Sequence, residues 1–401
     1  MNNTFNRQLV ALCGITLLSL PQRMAGSFVA IFSIACVTAV LLTVLTLIHG
    51  MNKIMEKSGW DSTLIAMRAG SSSELQSVLF PVEVNTMLNH PEIIRDEHSR
   101  PLYSAEMFVN AVTMLPDVNG ERSSLSLALR GVSGGAGQMR PHFKLVTGRY
   151  FKPGLREVIV GQGVARKHPQ LEVGKTIKLG GSEWLVAGIF ADNYSVFESE
   201  VWADLNTVQN DYQRGSSIQS VRIAFAGDVD IEQVRQQWLD DPRLNVRVVS
   251  ENAYFAQQSE NITRLMRWLG IPLALIMALG AVVAALNTMY SAIAGRSKEI
   301  AVHKAIGFHP SAIALSVVFE SILLAIIGGI IGILPLYIGL NGVTAATNNA
   351  ANLSQIMFNF SISPLLMVQA LLLAVAIGLL GGILPAIHAI RIPVSLAIRG
   401  D

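Results

Sequence analysis

The chain has 401 residues, of which 51% are hydrophobic and only 14% are charged. This composition is far more apolar than that of an ordinary soluble enzyme and predicts membrane-spanning segments. The net charge of +2, without runs of Lys or Arg interleaved with aromatic residues, excludes a nucleic-acid-binding surface.

The first membrane span is predicted at residues 24–50, after an amphipathic cytoplasmic segment at 1–23. Residues 24–48 carry no charge, and about 20 apolar residues suffice for a helix to cross a bilayer. This stretch is too long for the apolar region of a signal peptide, and no small-residue cleavage site follows it. We therefore expect a retained membrane anchor.

Residues 51–262 have a polar composition and predict an extracytoplasmic α+β domain. Two β-α-β halves at about 60–117 and 216–250 fit a split, ferredoxin-like subdomain, and the intervening 118–215 predicts a mostly β insertion. Both cysteines, Cys13 and Cys36, precede this domain, so no disulfide framework is expected in it. The halves contain predicted strands at 63–68, 107–114, 221–225 and 246–249 and helices at 74–89 and 231–239, and the insertion contains strands at 125–129, 157–160, 176–179 and 184–189.

Three further spans are predicted at 263–295, 310–340 and 364–390. Short connections at 296–309 and 341–363 join them, and a cytoplasmic tail at 391–401 follows the last one. The predicted fold class is therefore an α-helical membrane protein with four transmembrane helices and an α+β extracytoplasmic domain.

The distribution of Lys and Arg predicts the orientation, because short loops rich in these residues stay in the cytoplasm. The connection at 341–363 carries no charged residue. Both termini and the 296–309 connection are therefore predicted to be cytoplasmic, and 51–262 to be periplasmic in a bacterial inner membrane. The basic residues that decide this are Arg7, Arg23, Arg296, Lys298, Lys304, Arg391 and Arg399.

One carboxylate lies inside a predicted span. Glu320 follows the start of the third span by about ten residues, roughly 15 Å at helical rise. An acidic side chain at the bilayer centre costs about 2.5–3.5 kcal/mol on insertion scales, so Glu320 should have a partner or water. We favour a structural pair inside the bundle over proton coupling.

Two pairs of glycines are spaced four residues apart, Gly328 with Gly332 and Gly378 with Gly382. Small residues at this spacing let membrane helices approach closely. For either pair alone, the general frequency of glycine in membrane helices is an equally good explanation. Pro385 predicts a kink in the fourth span, because proline removes one backbone hydrogen bond.

The sequence shows no arrangement of residues typical of an enzyme. Residues 173–176 are similar to the end of a phosphate-binding loop, but Pro169 stands where that motif requires glycine. The histidines show no metal-ligand spacing, and no nucleophile elbow occurs. We expect no catalytic centre, no metal site and no cofactor bound by this chain.

Three segments resemble a known family. From Arg296 the chain reads RSKEIAVHKAIGFHPSAIALSVVFESILLAIIGGIIG, which is similar to a characteristic loop and helix of MacB/FtsX-type (type VII) ABC transporter permeases. The segment GLLGGILPAIHAIRIPVSLAIRG resembles the closing segment of the same family, and GRYFKPGLREVIVGQGVARKHPQLEVGKTIKLGGSEWLVAGIF resembles its periplasmic core domain. The resemblance covers nearly the whole chain.

The resemblance implies that 296–309 forms a cytoplasmic coupling helix that docks on an ATPase. The helical pattern of 296–306 places Ile300, His303 and Ile306 on one face with charges beside them. Glu299 and His303, four residues apart, would equally serve to support the helix. The helix is expected to end before Pro310. The implied coupling residues are Arg296, Lys298, Glu299, Ile300, His303, Ala305, Ile306 and Gly307.

The resemblance also implies a function and partners. We expect a permease subunit that couples ATP hydrolysis to motion of the periplasmic domains for export, extraction or mechanotransmission. ATP and Mg would be bound by a separate cytoplasmic ABC ATPase, since only about 23 residues precede the first span. Further expected partners are membrane lipids and a second permease copy or paralogue, and a periplasmic membrane-fusion protein is one more candidate. The alternative is a membrane-anchored sensor or scaffold without ATP coupling, and the substrate stays open.

Overall fold

The structure is a computed structural model that describes residues 24–116, 122–227, 229–348 and 355–393, with a few single positions among the first fourteen residues. The chain divides into two compact units. The helical unit comprises Met1–His49, Arg264–Val343 and Phe360–Asp401, and the sheet unit comprises Gly50–Thr263 and Thr344–Asn359. In chain order the elements are α1 (Met24–Glu56), β1 (Thr63–Arg68), α2 (Pro81–Leu88), β2 (Tyr103–Pro116), β3 (Arg122–Val132), β4 (Phe143–Gly148), β5 (Glu157–Gly161), α3 (Gln162–Lys167), β6 (Thr176–Leu179), β7 (Ser182–Asp192), β8 (Glu200–Asp204), α4 (Leu205–Asp211), β9 (Ser220–Ala224), α5 (Ile231–Asp240), β10 (Val246–Ser250), α6 (Glu251–Gly295), α7 (Ser297–Ala305), α8 (Pro310–Leu340), β11 (Thr344–Asn348), β12 (Gln355–Asn359) and α9 (Pro364–Arg391).

Four helices, α1, α6, α8 and α9, are long and apolar enough to cross a membrane, within the ranges that the structure describes. They occupy the four predicted spans. Both α8 and α9 begin with a proline. Proline suits the first position of a helix, because a backbone N–H there would have no acceptor within the helix. The Ser363 side chain caps α9 by accepting a hydrogen bond from the Leu366 amide.

Two of these helices extend beyond the predicted spans. Helix α1 continues to Glu56, and α6 begins at Glu251, well before the predicted start at residue 263. The added turns of α6 bury Tyr254 and Phe255 but are otherwise polar. A search for apolar stretches misses such turns, because an amphipathic helix has a low average hydropathy.

The sheet unit is organised around one ten-stranded sheet, with the order β10-β1-β9-β2-β3-β8-β5-β7-β4 and with β6 paired to β7. Strands β1 and β2 and the intervening α2 form one β-α-β half, and β9, α5 and β10 form the other. Each half encloses a strand of the other, in the order β10-β1-β9-β2, and neighbouring strands are antiparallel. This arrangement confirms the predicted ferredoxin-like subdomain.

The insertion between the two halves is mostly β, as predicted, and it continues the same sheet. Strand β3 pairs with β2 antiparallel and with β8 in parallel, so the insertion strands follow directly on the ferredoxin-like strands. The apolar core lies along one face of this sheet and includes Leu64, Met107, Leu129, Val160 and Trp184. Burial of these side chains provides the main stabilisation of the sheet unit.

Three sequence-based assignments in the sheet unit are corrected. The helix predicted at 74–89 is a single 3₁₀ turn at Glu74–Gln76 followed by extended chain and then by α2. Pro81 forces this break, because the residue before a proline avoids helical geometry, and Phe80 is indeed extended. Strands β4 and β8 were not predicted, and the 341–363 connection contains the hairpin β11–β12 rather than only a loop.

Candidate coupling site

Helix α7 occupies the corner between the spans α6 and α8. Its C-terminus is closed by two hydrogen bonds, from the Phe308 amide to the His303 carbonyl at 3.1 Å and from the Gly307 amide to the Lys304 carbonyl at 3.1 Å. Gly307 has a φ of +100°, a conformation in which other residues are strained. This is the Schellman geometry, and it confirms that the helix ends before Pro310, which begins α8.

A buried ion pair connects the start of α7 to the first half of α8. The Arg296 guanidinium donates two hydrogen bonds to the Glu320 carboxylate, at 3.0 Å and 2.9 Å, and both side chains are largely buried. Two parallel hydrogen bonds fix both the distance and the angle between the groups. Glu320 therefore has the structural partner that its position requires. The Arg296 side chain points to this partner, and its role in coupling to an ATPase stays a prediction.

The inner side of α7 packs on the helical unit. Ile300 is only 7% exposed and Ala301 is fully buried. Ile300 belongs to an apolar cluster with Ile293 of α6, Ile313 of α8 and Ala389 of α9. The short helix is thereby in contact with the core that three spans share.

Polar contacts attach α7 and the turn that follows it to two further segments. The Lys304 ammonium donates to the carbonyls of Ile390 and Ile392, at 2.7 Å and 2.9 Å, at the end of α9. Gln8 accepts a hydrogen bond from the His309 amide at 3.2 Å and donates to the Gly307 carbonyl at 3.4 Å. Sequence reasoning missed the contacts of Lys304 and Gln8, because neither residue belongs to a motif.

The outer side of α7 presents apolar and charged side chains. Val302 is 50% exposed and Ile306 is 71% exposed, and Lys298, Glu299 and Ala305 are exposed beside them. The predicted face of Ile300, His303 and Ile306 is therefore wrong in part. Ile300 is buried, and the His303 ring lies half-buried, edge-on to Phe308 with 5.3 Å between the ring centres. The exposed face of α7 is shifted by about one residue from the predicted face, because the side with Ile300 packs on the bundle.

The first glycine pair lies where α8 crosses α1. A Cβ atom at Gly332 would lie 2.3 Å from the Thr38 hydroxyl and 2.4 Å from the Ala35 carbonyl oxygen. At Gly328 it would lie 2.8 Å from the Ile31 carbonyl oxygen. These distances are too short for any side chain, so both glycines are needed for the backbones to approach.

The second glycine pair lies where α9 packs on α8. A Cβ atom at Gly378 would lie 2.9 Å from the Ser321 carbonyl oxygen, and one at Gly382 would lie 2.8 Å from the Ser321 Cβ. The Ser321 hydroxyl donates to the Gly378 carbonyl at 2.6 Å, a direct hydrogen bond between the two spans. Helix α9 runs through Pro385, which is buried, and the kink there stays a prediction.

The sheet unit contains a buried network of charges that sequence reasoning missed. We call it the ion cluster. Arg130 of β3 forms a two-bonded pair with Glu200 of β8, at 2.7 Å for each bond. Arg222 of β9 donates to Glu251 at 2.8 Å, in the first turn of α6. The cluster comprises Glu74, Glu106, Arg130, Arg140, Glu200, Arg222 and Glu251, all nearly inaccessible to solvent.

The ion cluster shifts the pKa of its carboxyl groups in opposite directions. Burial alone would raise the pKa of Glu74, but Arg130 and Arg222 outweigh it and hold that pKa well below its usual range. The pKa of Glu106 is lowered by the same balance. For Glu251, burial prevails over the nearby guanidinium groups and raises the pKa. Arg130, Arg222 and the four Glu therefore hold strands β2, β3, β8 and β9 and the first turn of α6 together by charge-assisted hydrogen bonds. Arg140 adds a third positive charge, 3.8 Å from Glu106 and 3.9 Å from Glu251.

These features define a class of protein: a polytopic membrane protein with four spans, a large ferredoxin-like domain between the first two, and a short anchored helix between the second and third. The family model for the MacB-like periplasmic core domain matches residues 27–240, and that for the FtsX-like permease C-terminal region matches 272–394. The first match alone covers more than half of the chain. The chain belongs to the MacB/FtsX-type family of ABC transporter permeases.

Two relatives with similar sequences are longer proteins. The macrolide export ATP-binding/permease protein MacB of Neisseria meningitidis is 23% identical over 394 residues, which cover 90% of this chain and 58% of that protein. MacB 1/2 of Paracoccus denitrificans is 29% identical over 210 residues, which cover 50% of this chain and 30% of that protein. The chain thus spans about a third to somewhat over half of the length of these relatives.

Solved structures of similar outer domains also match. The periplasmic region of MacB from Actinobacillus actinomycetemcomitans aligns with a TM-score of 0.38 and 16% identity, covering 51% of this chain and 95% of that one. The extracellular domain of the ABC-type transporter YknZ from Gram-positive bacteria aligns with a TM-score of 0.36 and 15% identity, covering 47% of this chain and all of that one.

Proposed function

We propose that this chain is a permease subunit that couples ATP hydrolysis by a partner ATPase to motion of the sheet unit, for export, extraction or mechanotransmission. ATP and Mg bind to the partner, and this chain supplies the docking surface and the moving spans. The proposal includes a bacterial inner membrane, with α7 on the cytoplasmic side and the sheet unit in the periplasm. The excess of Lys and Arg around α7 supports this orientation.

One observation carries the proposal: α7 is exposed on one side and anchored on the other. Its exposed side offers Val302 and Ile306 with Lys298 and Glu299 beside them. An apolar centre with charged neighbours is suited to a groove on another protein. A sensor or scaffold without ATP coupling would need no such surface on a helix between two spans.

The anchors explain how a force on α7 would reach the spans. Arg296 holds the start of α7 to Glu320 in α8, Lys304 holds its end to α9, and Ile300 packs against the shared core. A helix with contacts on three spans moves as one body with them, because packed interiors have few voids and transmit displacement. Closure of an ATPase against α7 would therefore move the bundle rather than only the short helix.

The second permease copy is part of the proposal. Family membership supports a dimer of permeases, either of this chain or with a paralogue, and each copy would present its own α7 to one ATPase subunit. A periplasmic membrane-fusion protein is a further candidate partner on the side of the sheet unit.

The experiment that tests the proposal is reconstitution with a candidate ATPase. The purified chain is expected to hydrolyse no ATP by itself, because its sequence lacks a phosphate-binding loop. Co-expression with ABC ATPases encoded in the same genome is expected to yield one that co-purifies and hydrolyses ATP. Sustained hydrolysis by the rigorously purified chain, or failure of every such ATPase to bind it, would contradict the proposal.

A further inference from the structure

The helical unit contains a half-open cavity of about 290 Å³ between α1, α6 and α8, lined by both polar and apolar atoms. Its walls include the hydroxyl-bearing residues Ser27 of α1 and Thr288 and Ser291 of α6. The Arg296–Glu320 ion pair forms another part of the wall. The charged and hydroxyl groups in this wall favour an occupant with a polar part, because polar groups gain stabilisation from hydrogen-bond partners in hydrocarbon.

The space exists because one face of α6 carries small side chains. Thr288, Ser291 and Gly295 follow one another at helical spacing and all line the cavity. Larger residues at these positions would fill it. The volume is close to the lower limit of known small-molecule sites and is enough for a compact headgroup.

The charges in the wall limit what the occupant can be. The ion pair offers one guanidinium and one carboxylate. A simple anion would meet Glu320, and a simple cation would meet Arg296, at close range. A group that carries both a phosphate and an ammonium satisfies both, since guanidinium binds phosphate and carboxylate accepts hydrogen bonds from ammonium. The hydroxyls of Ser27, Thr288 and Ser291 are suited to donate to further phosphate oxygens.

Exposed apolar side chains lie on α1 next to Ser27, which lines the cavity. Phe28 follows Ser27 directly, and Phe32 lies one turn further along α1. Both rings are exposed and stack on each other, with 6.0 Å between their centres. An occupant with a polar end in the cavity and hydrocarbon chains beside these rings is therefore favoured over a fully soluble one.

We propose that this cavity binds the headgroup of a zwitterionic phospholipid with a primary ammonium group, such as phosphatidylethanolamine. The phosphate lies towards Arg296 and the hydroxyls, the ammonium lies towards Glu320, and the acyl chains extend past Phe28. A primary ammonium is required because it donates hydrogen bonds to a carboxylate, which a quaternary ammonium does not do. The site does not depend on the proposed ATP coupling.

The test uses the full chain, delipidated in a maltoside detergent, and its thermal stability in mixed micelles with one added lipid at a time. Dioleoyl phosphatidylethanolamine is expected to raise the Tm by about 5 °C at saturation, because a ligand that binds only the folded state stabilises it. Dioleoyl phosphatidylcholine and dioleoyl phosphatidylglycerol are expected to raise it clearly less. Equal stabilisation by phosphatidylglycerol would overturn the zwitterionic assignment. Equal stabilisation by soluble glycerophosphoethanolamine would overturn the assignment to a lipid.

Two matched variants connect the effect to the cavity. Ser291→Leu fills the space, leaves both residues of the ion pair in place and is expected to abolish the selective rise with phosphatidylethanolamine. Ala294→Leu adds a similar bulk at an exposed position of α6 outside the cavity and is expected to leave the rise unchanged. Lipids that co-purify with each variant, quantified by mass spectrometry, give an independent measure. If Ser291→Leu retains both the selective stabilisation and the co-purified phosphatidylethanolamine, the cavity is not the site.

Discussion

Removal of one guanidinium from the ion cluster should strongly destabilise the sheet unit. Arg222 donates to Glu251 at 2.8 Å and to Glu74 at 2.9 Å, and it also contacts Glu106. The substitution Arg222→Met keeps a similar apolar volume but leaves two Arg against four Glu in a region without solvent. Loss of one partner from a buried ion pair costs about 3–5 kcal/mol, because the remaining charge is buried without compensation.

The corresponding change in Tm follows from the size of the unit. For a domain of about 150–250 residues, 1 kcal/mol shifts the Tm by roughly 2–4 °C, so Arg222→Met should lower it by roughly 6–20 °C. Tryptophan fluorescence of the purified full chain is a suitable assay. Four of the five tryptophans, Trp60, Trp184, Trp202 and Trp238, lie in the sheet unit, so the signal reports mainly on this unit.

The matched control is an exposed ion pair in the same unit. Arg243 pairs with Asp241 at 2.7 Å, and its side chain is 73% exposed. Exposed pairs contribute about 0–1 kcal/mol, so Arg243→Met should shift the Tm by no more than roughly 4 °C. If Arg222→Met and Arg243→Met lower the Tm equally, the ion cluster is not a stabilising network and the reasoning is refuted.

Three further predictions concern packing, pH and topology. Gly332→Leu should lower the stability of the helical unit by about 1–3 kcal/mol in a thermal melt in detergent. Gly339→Leu, at a position with open space around it, should not. Equal effects of the two substitutions would contradict the close packing of α8 on α1. The sheet unit should lose stability as the pH falls below about 4.5, because the lowered pKa of Glu74 means that the folded state binds fewer protons than the unfolded state at this residue. A Tm, followed by tryptophan fluorescence, that does not change on acidification would contradict this. In intact cells, an impermeant maleimide should label Lys152→Cys but not Lys298→Cys, and the reverse pattern would invert the orientation.

The spans and the ferredoxin-like order were predictable because their signals are local. An uncharged stretch such as 24–48 requires no knowledge of the rest of the chain. The two β-α-β halves are also visible from periodicity and turn residues. The turns of α6 around Tyr254 were not predictable in this way, because they are largely polar and their aromatic side chains are buried by residues distant in sequence, such as Phe197 against Phe255.

The ion cluster was not predictable, because successive side chains of a strand point to opposite faces of the sheet. Glu106 in β2 and Arg130 in β3 each alternate with apolar residues along their strand. Such an alternation of charged and apolar residues is typical of a strand with one solvent-exposed face. In the structure this face is covered, and the Phe197 ring lies 5.6 Å from the Arg130 guanidinium. The weak signal was a set of single charges inside otherwise apolar strands, on three different strands.

The face of α7 shows the same limit at the scale of one helix. Helical spacing alone groups Ile300 with Ile306, and both are apolar. Which of them faces outward depends on the position of α8 and α9, whose residues contact Ile300. The motif located the proposed coupling segment, and packing decided which of its residues are exposed.

The most direct test of the coupling role of α7 is the substitution Ile306→Asp in the complex with the ATPase. Ile306 is 71% exposed, so a charge there should leave the fold intact while placing a carboxylate in an apolar docking surface. Val82→Asp, at a 76% exposed position of α2, is the control in the sheet unit. At matched expression, Ile306→Asp should lose at least about ten-fold of the co-purified ATPase and Val82→Asp should lose none. Full recruitment and full ATPase stimulation by Ile306→Asp would contradict the role of α7 as the coupling element.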